Sequence, residues 1–341
     1  MIESAISPES DKPAATEAEV LAALNRIVNR IGSEPTAVAD LERLSGGATQ
    51  EIWRFNVVRP DGRSAKVLRR APRGVAVTSD GIGLTVEAEL LQAAGAAGVP
   101  VPRVDRVLRP EDGLGDGFVM AFVEGETLGG RIVRQDRFAR ARETMARECG
   151  AILARIHAID PAPFPSLDRR TPAELVDQWL RVYRAGSVVR PVFELAFRWL
   201  ADHAPPPDRS GLVHGDFRNG NLMIGEDGVR AVLDWELAHV GDPMEDLGWL
   251  CVNSWRFGRI DRPVGGFGRR EDLFEGYERQ SGRAVDPAAI RWWEIFGTIR
   301  WGAICAGGLA AYRSSDPSIE RAMIARRASE TEIDLLRLLD A

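Results

Sequence analysis

The sequence predicts an α+β fold in which a small lobe built on an antiparallel sheet precedes a larger, mainly helical lobe. Short β-rich runs separated by turn residues fill positions 35–123, whereas apolar residues at helical spacing dominate from about residue 130 onward. The change falls near Glu124-Gly125-Glu126. We therefore predict a loose tail over residues 1–15, a small lobe over 16–124 and a large lobe over 125–341. The length of 341 residues suits two mid-sized domains.

The small lobe is predicted to begin with a helix and to continue as strands. Thr16 and Glu19 form a capping box, and apolar residues follow at helical spacing as far as Ile31. Pro60-Asp61-Gly62 is a turn signal between two β-rich runs. The predicted strands cover 38–44, 51–58, 64–70, 103–108 and 117–123, with a helix inserted at about 84–94.

The large lobe is predicted to be helical, with three short strands in its middle. The strands lie at 212–214, 221–224 and 229–234, where brief apolar runs flank polar loops. The predicted helices cover 136–159, 172–185, 190–203, 243–255, 270–281, 287–311 and 318–339.

Composition and charge restrict the classes of partner. The net charge of −6, from 44 Lys and Arg against 50 Asp and Glu, disfavours a nucleic-acid partner. No run approaches the roughly 18 apolar residues of a membrane span. The first residues lack the apolar stretch of a secretory signal, so we predict a cytoplasmic protein. Cys149, Cys251 and Cys305 have no metal-ligand spacing and are expected to be buried, reduced thiols.

Polar residues suited to phosphoryl transfer cluster within residues 212–236. Asp216 follows a short apolar run, Asn221 comes five residues later, and Asp234 follows thirteen residues after that. One carboxylate of such a set can accept the proton of an attacking hydroxyl, and the other can hold Mg²⁺ together with the amide oxygen. The spacing from His214 onward is that of the kinase catalytic loop. A polar surface hairpin is the alternative, which the combined spacing disfavours.

The segment LVHGDFRNGNLMI, with the later VLDWE and GDPMEDLGWL, strongly resembles the aminoglycoside phosphotransferase family of the protein-kinase-like superfamily. The resemblance covers about residues 35–340. More narrowly, the chain looks like the kinase-like domains of some acyl-CoA dehydrogenase fusion proteins and their stand-alone bacterial homologues. The resemblance implies a bilobal protein-kinase-like fold with ATP in the cleft, Asp216 as catalytic base, and Asn221 and Asp234 as Mg²⁺ ligands. The kinase Asp-Phe-Gly motif is replaced by Asp234-Trp235-Glu236.

The resemblance also implies which residues of the small lobe contact ATP. The Gly-Gly turn at Ser45–Thr49 lies where the family has its nucleotide loop, so Gly46, Gly47 and Thr49 are candidate phosphate contacts. A tight hairpin with no ligand is the alternative reading of such a turn. The last residues of the strand GFVMAFV correspond to the hinge, which places adenine near Met120, Phe122 and Val123. A plain core strand is the alternative there.

The family needs a cation on the third strand and a glutamate on the following helix. Arg69 falls on the position of the kinase lysine, and Glu87 is the matching glutamate. Lys66 competes with Arg69, but it lies three residues away and points to the opposite face of a strand. Val67 shares the face of Arg69, which favours Arg69 as the phosphate contact.

Two acidic residues downstream are assigned supporting roles. Asp246 resembles the buried aspartate that braces the catalytic loop through its backbone N–H groups. Glu236 lies close enough in sequence to Asp234 to lean toward the metal, although an exposed carboxylate is an equal alternative.

The last helices of this superfamily line the acceptor site. Here residues 287–313 contain one acid, Glu294, beside several arginines, whereas sites for polycationic aminoglycosides are commonly lined with carboxylates. The candidate wall, for which core packing is the alternative, consists of Trp292, Trp293, Phe296, Arg300, Trp301 and Tyr312. This wall favours a neutral or anionic acceptor.

The sequence thus predicts an enzyme that uses ATP and Mg²⁺ to phosphorylate a hydroxyl of a small molecule. By analogy with the dehydrogenase fusions, the acceptor is a hydroxy compound such as a hydroxyacyl thioester. The alternative is a nucleotide-binding regulatory module without transfer activity. Neither the acceptor nor the oligomeric state follows from the sequence.

Overall fold

The computed structural model describes residues 16–31, 36–44, 50–72, 81–186, 188–314 and 319–340. The chain forms two compact units. The described residues of the first unit come from Met1–Ala96, Val101–Glu124 and Trp235–Leu237, and those of the second come from Ala97–Pro100, Gly125–Asp234 and Ala238–Ala341. The predicted tail over residues 1–15 lies outside the described residues, as do Gly46, Gly47 and Thr49 of the predicted nucleotide loop.

The first unit is built on a five-stranded antiparallel sheet with two helices. The helices are α1 (Glu17–Ile31) and α2 (Leu84–Ala96), and the strands are β1 (Ala37–Leu44), β2 (Glu51–Arg59), β3 (Gly62–Arg70), β4 (Val104–Val107) and β5 (Gly117–Ala121). The sheet order is β1-β2-β3-β5-β4. Strands that follow each other in the chain are neighbours in the sheet, with one exception. After β3 the chain forms α2, and β5 rather than β4 pairs with β3.

Helix α1 closes one face of this sheet. Its predicted capping box is confirmed, because the Glu19 N–H donates to Thr16 Oγ1 at 3.3 Å and the Thr16 N–H donates to Glu19 Oε2 at 2.8 Å. The apolar stripe of α1 packs with alternate residues of β2, among them Phe55 and Val57, and with Leu68 of β3. The alternating apolar residues of the strands and the helically spaced apolar residues of α1 therefore pack into one hydrophobic core.

The second unit is mainly helical. Its helices are α3 (Gly129–Ile132), α4 (Ala139–His157), α5 (Pro172–Gly186), α6 (Pro191–Asp202), α7 (Met244–Cys251), α8 (Arg270–Ser281), α9 (Pro287–Ser314), α10 (Ile319–Arg326) and α11 (Ala328–Asp340). Its strands are β6 (Gly211–Val213), β7 (Leu222–Gly225), β8 (Gly228–Val232) and β9 (His239–Gly241). Two antiparallel pairs result, β6 with β9 and β7 with β8. The predicted α+β architecture is confirmed.

Several features of the second unit differ from the sequence prediction. Helix α3 was not predicted, and the helix predicted over 243–255 ends as α7 at Cys251. The helix predicted over 318–339 is interrupted at Arg327, which separates α10 from α11. The Arg327 guanidinium lies over the ring of Trp301, 5.4 Å from its centroid, and its backbone N–H bonds the C=O of Ile324 in a tight turn. Strand β9 was not predicted.

The buried helix α7 packs closely against α9. A Cβ atom built on Gly248 of α7 would lie 2.5 Å from Cβ of Trp293 in α9, so only glycine allows this approach. All three cysteines are buried and free, as predicted. None of the helices in the described ranges combines the length and the apolar character that crossing a membrane requires.

The close approach of α7 and α9 leads to a stability prediction. Gly248→Ala forces Trp293 and the backbone of α9 apart, and we expect it to lower the free energy of unfolding by about 1–3 kcal/mol. Gly307→Ala in α9 is the matched control, because among the described residues no heavy atom lies within 4 Å of a Cβ built there. The control should be neutral or stabilising by about 0.5–1 kcal/mol. Urea denaturation measures the free energy of unfolding of both variants. An equal change in Gly248→Ala and Gly307→Ala would refute the close packing of α7 against α9.

Candidate active site

The loop after β6 carries Asp216 and is held by a buried carboxylate. Asp246 of α7 accepts hydrogen bonds from the backbone N–H groups of His214 (2.8 Å) and Gly215 (2.9 Å). Its Oδ2 also lies 3.1 Å from Nε2 of His157. The left-handed φ of 80° at Gly215 turns the chain out of the strand, which glycine allows without strain. The bracing contacts predicted for Asp246 are thus present.

The charge states of this brace follow from burial and hydrogen bonding. Burial favours a raised pKa for Asp246, but the hydrogen bond and charge of His157 hold the pKa of this carboxyl below its usual value. Complete burial lowers the pKa of His214, against the opposing effect of the nearby carboxylates. A neutral His214 with its proton on Nε2 satisfies both contacts of its ring. Nε2 lies 3.1 Å from the Leu233 C=O, and Nδ1 accepts the Asp216 N–H at 3.2 Å.

Three N–H donors orient the carboxylate of Asp216. Trp249 Nε1 donates to Oδ1 at 2.8 Å, Arg218 Nε donates to the same oxygen at 3.0 Å, and Asn221 Nδ2 donates to Oδ2 at 2.6 Å. The side chain keeps 14% of its surface exposed. An ionised carboxylate has about four lone-pair sites, so Asp216 is fixed in place and retains capacity to accept a further proton donor.

Asn221 and Asp234 lie at neighbouring ends of the β7–β8 hairpin. The N–H of Leu233 donates to the C=O of Asn221 at 2.9 Å, which brings the next residue, Asp234, beside Asn221. Asp234 has a φ of 64°, in the left-handed region that non-glycine residues rarely adopt. Such strained residues cluster at functional sites.

The oxygen atoms of these two residues fit a magnesium ion. The amide nitrogen of Asn221 faces Asp216, so its amide oxygen faces away and can serve as a ligand. Mg²⁺ is usually held by one or two carboxylates together with waters and substrate phosphates. Within the described ranges, no group of three or more His, Cys, Asp or Glu side chains is placed to hold a metal.

The first unit brings Arg69 and Glu87 together. Arg69 Nη1 lies 3.2 Å from Oε1 of Glu87, which is 1% exposed. Arg69 also contacts Glu236 at 3.5 Å and bonds the side chain of Gln50. The carboxylate of Glu236 is therefore not simply exposed to solvent, because it contacts Arg69, which also contacts Glu87.

Lys66 has a different partner from Arg69. Its Nζ lies 2.6 Å from Oδ2 of Asp105, and both side chains are more than four-fifths buried. Lys66 lies opposite Ala121 in the sheet, whereas Arg69 lies opposite Phe118. The two cations therefore belong to separate ion pairs.

The predicted hinge residues lie at and beyond the end of β5. Met120 is half-buried and pairs with Val67 in the sheet. The Phe122 N–H bonds the C=O of Ala65 at 3.1 Å, and Arg54 covers the Phe122 ring at 4.4 Å. Val123 makes no backbone hydrogen bond with another described residue, which leaves its polar groups available to a ligand.

The predicted acceptor wall divides into core residues and residues near Asp216. Trp292, Trp293 and Phe296 are almost completely buried and pack on one another, so the core alternative applies to them. Arg300 Nη1 donates to the C=O of Gly215 at 3.1 Å, which places it at the catalytic loop. The remaining two members are Trp301, which is half-buried, and Tyr312, which is 37% exposed.

Sequence reasoning identified Asn221 but missed Arg218 and Trp249, the other two side chains that donate to the carboxylate of Asp216. Arg218 lies only two residues after Asp216. Trp249 follows Asp246 by three residues in α7, so both point to the same side of that helix. Asp246 was predicted from the sequence, and the spacing of three residues along the helix from Asp246 is the signal that could have identified Trp249.

Comparison with known proteins identifies the family. The model of the phosphotransferase enzyme family (APH) matches residues 40–283, more than two thirds of the chain. The chain belongs to this phosphotransferase family. The matched range contains Arg69, Glu87, Asp216, Asn221 and Asp234.

The curated relatives of this phosphotransferase family member are larger proteins. It is 33% identical over 201 residues to acyl-CoA dehydrogenase family member 10 of Mus musculus, which is 54% of this chain and 18% of that protein. It is 26% identical over 342 residues to acyl-CoA dehydrogenase family member 11 of Rattus norvegicus, which is 92% of this chain and 42% of that protein. The chain therefore spans less than half the length of either relative.

Solved structures of phosphotransferases share the fold. A crystal structure from Ralstonia eutropha, provisionally described as an aminoglycoside phosphotransferase, superposes with a TM-score of 0.71 at 22% identity and covers 96% of this chain and 98% of its own. Spectinomycin phosphotransferase in complex with ADP and spectinomycin gives a TM-score of 0.63 at 12% identity, with 97% and 100% covered. At these identities the likeness shows the fold alone, and the protein-kinase-like fold implied by the sequence is confirmed.

The separate ion pairs of Arg69 and Lys66 lead to a matched test. If Arg69 binds the phosphates, Arg69→Ala should weaken ATP binding by about tenfold or more, because a charge-assisted hydrogen bond is lost. Lys66→Ala should change ATP affinity by less than about threefold. Calorimetry measures both, at a temperature where circular dichroism shows the variants folded, since Arg69→Ala also removes the partner of the buried Glu87. Loss of binding in Lys66→Ala alone would mean that the phosphate cation is Lys66.

Proposed function

We propose that this phosphotransferase moves the γ-phosphoryl group of ATP to a hydroxyl of a small molecule. The observation that carries the proposal is Asp216, a carboxylate fixed by three N–H donors beside Asn221 and Asp234. In this reaction the acceptor oxygen bonds the γ-phosphorus, the bond to the β-phosphate oxygen breaks, and the hydroxyl proton passes to Asp216. Consumption of ATP makes the cytoplasm the proposed compartment.

The other site residues would bind and orient the nucleotide. Arg69, held by Glu87, is the proposed contact to the α- and β-phosphates. The backbone of Val123, with Met120 and Phe122 beside it, is the proposed adenine contact. Asn221 and Asp234 are the proposed holders of Mg²⁺, which neutralises phosphate charge when bound. Gly46, Gly47 and Thr49 would add phosphate contacts.

The acceptor is proposed to be neutral or anionic, such as a hydroxyacyl thioester. Glu294, the only acid of residues 287–313, is buried between Arg256 (2.7 Å) and Arg270 (2.6 Å) and cannot serve a polycation. Arginines rather than free carboxylates contact the Asp216 loop. The names of the curated relatives, which are acyl-CoA dehydrogenase family members, support an acyl compound.

A product screen tests the proposal. The protein, Mg²⁺ and ATP with ¹⁸O in the γ-phosphoryl group are incubated with hydroxyacyl thioesters, hydroxy acids, neutral polyols and kanamycin. We expect an ¹⁸O-labelled phosphate ester of a neutral or anionic compound, and little product from kanamycin, because its positive charges meet arginines. Efficient phosphorylation of kanamycin would contradict the proposed acceptor class. Failure of every compound, with no hydrolysis of ATP, would contradict phosphoryl transfer itself.

The proposed ligands predict a metal requirement. ATP affinity should be higher with Mg²⁺ than with EDTA, and Asp234→Asn should reduce that difference, because one charged oxygen ligand is lost. Asp227→Asn is a matched control, since Asp227 lies on the exposed turn of the same hairpin. Calorimetry with and without Mg²⁺ measures the effect. Equal ATP affinity in Mg²⁺ and EDTA for the wild type would refute the metal assignment.

A further inference from the structure

Three tryptophans form a continuous cluster beside Asp216. We call Trp249, Trp255 and Trp301 the indole cluster. Ring centroids of Trp249 and Trp255 are 5.1 Å apart, and those of Trp255 and Trp301 are 5.0 Å apart. Trp249 bonds Asp216 directly, so the cluster extends away from the proposed proton acceptor.

Two indole nitrogens of this cluster have no partner within the described part of the chain. Nε1 of Trp255 and Nε1 of Trp301 are both buried and make no hydrogen bond there. Trp255 itself is 5% exposed. By contrast, Trp292 donates to the Leu200 C=O at 3.1 Å and Trp293 donates to Asp242 at 3.0 Å. Buried N–H groups without a partner are rare in native proteins, and each needs an explanation.

The cations that face the rings of the cluster are arginines, and each also lies near a carboxylate. Arg218 lies 3.0 Å from Asp216, Arg300 lies 3.6 Å from Glu245, and Arg327 lies 3.3 Å from Glu330. The Arg218 guanidinium carbon lies 4.6 Å from the centroid of the Trp255 ring, while its Nε bonds Asp216. Arg300 lies 4.8 Å from the Trp249 ring, and Arg327 lies 5.4 Å from the Trp301 ring. The polar atoms of the indole cluster and of Arg218 are all hydrogen-bond donors. A ligand that satisfies them must offer oxygen acceptors and no positive charge.

We propose that the N–H groups of Trp255 and Trp301, with the guanidinium of Arg218, bind the acyl oxygen of the acceptor. This inference rests on the proposed function and names the residues that select its substrate. A carboxylate has about four lone-pair sites and can accept hydrogen bonds from all three groups, whereas a thioester carbonyl oxygen can accept from two of them. The acceptor's hydroxyl is then directed toward Asp216. An ammonium group in the same place would leave the indole N–H groups without partners and repel Arg218. Trp255 and Trp301 thus determine the preference for an acyl acceptor over an acceptor that carries an ammonium group.

Replacement of each indole by a phenyl ring, which removes the N–H group and keeps an aromatic side chain, tests this inference. Trp255→Phe and Trp301→Phe are compared with the control Trp199→Phe. The Trp199 ring, in α6, stacks on His203, which directly follows this helix. The probes are ω-hydroxyalkanoates of three to six carbons, their N-acetylcysteamine thioesters, and amino alcohols of equal length. Binding to the full chain with Mg²⁺ and AMP-PNP is measured by calorimetry. We expect wild type and control to bind the carboxylates or thioesters and not the amino alcohols, and each Phe variant to bind about tenfold more weakly or worse.

The outcomes separate this inference from the proposed function. Equal binding of the acyl probes by the Phe variants and the control, or equal binding of acyl probes and amino alcohols, would overturn the inference. A labelled phosphate ester in the product screen would leave the proposed function intact in that case. Indole-dependent binding without phosphoryl transfer to any compound would contradict the proposed function alone. If Trp255→Phe fails to fold, Trp301→Phe and Arg218→Gln, at partly exposed positions, decide the question.

Discussion

The buried carboxylate of Asp246 organises the catalytic loop through the backbone N–H groups of His214 and Gly215. A buried charge is costly unless hydrogen bonds compensate it, and His157 supplies a further contact at 3.1 Å. Once the loop is fixed, His214 can bridge to Leu233, whose N–H bonds Asn221. Hydrogen bonds thus connect the segments that carry Asp216, Asn221 and Asp234 to one buried carboxylate.

Much of this arrangement could be predicted from the sequence, because local patterns specify it. Helix α8 has the bounds 270–281 that its periodicity predicted, and the Thr16 capping box is present. Phosphoryl transfer needs particular residue types at short spacings in the sequence. Asp216 and Asn221 are five residues apart, and both lie on the loop between β6 and β7. The assignment of roles to these residues remains a prediction.

Long-range packing explains what the sequence could not predict. Trp292, Trp293 and Trp301 all lie on α9, and periodicity alone could not separate the two almost completely buried residues from the half-buried Trp301. The 5.0 Å contact between Trp255 and Trp301 joins residues 46 positions apart. At the interruption of the last helix, Arg327 contacts Trp301, which lies 26 positions earlier in the chain.

The most direct test of the account is the Asp216→Asn variant. An asparagine oxygen in the place of Oδ1 can keep the bonds from Trp249 and Arg218. The bond from Asn221 to Oδ2 is lost, because the new amide nitrogen is also a donor, but Asn221 can keep its 3.0 Å bond to the backbone C=O of residue 216. We therefore expect a melting temperature near that of the wild type and MgATP affinity within a few-fold. The kcat on the acceptor found by the screen should fall by about 10²–10⁴, because the proton acceptor is lost. A wild-type kcat in Asp216→Asn, or a loss of activity that recovers when the fold is stabilised, would contradict Asp216 as the catalytic base.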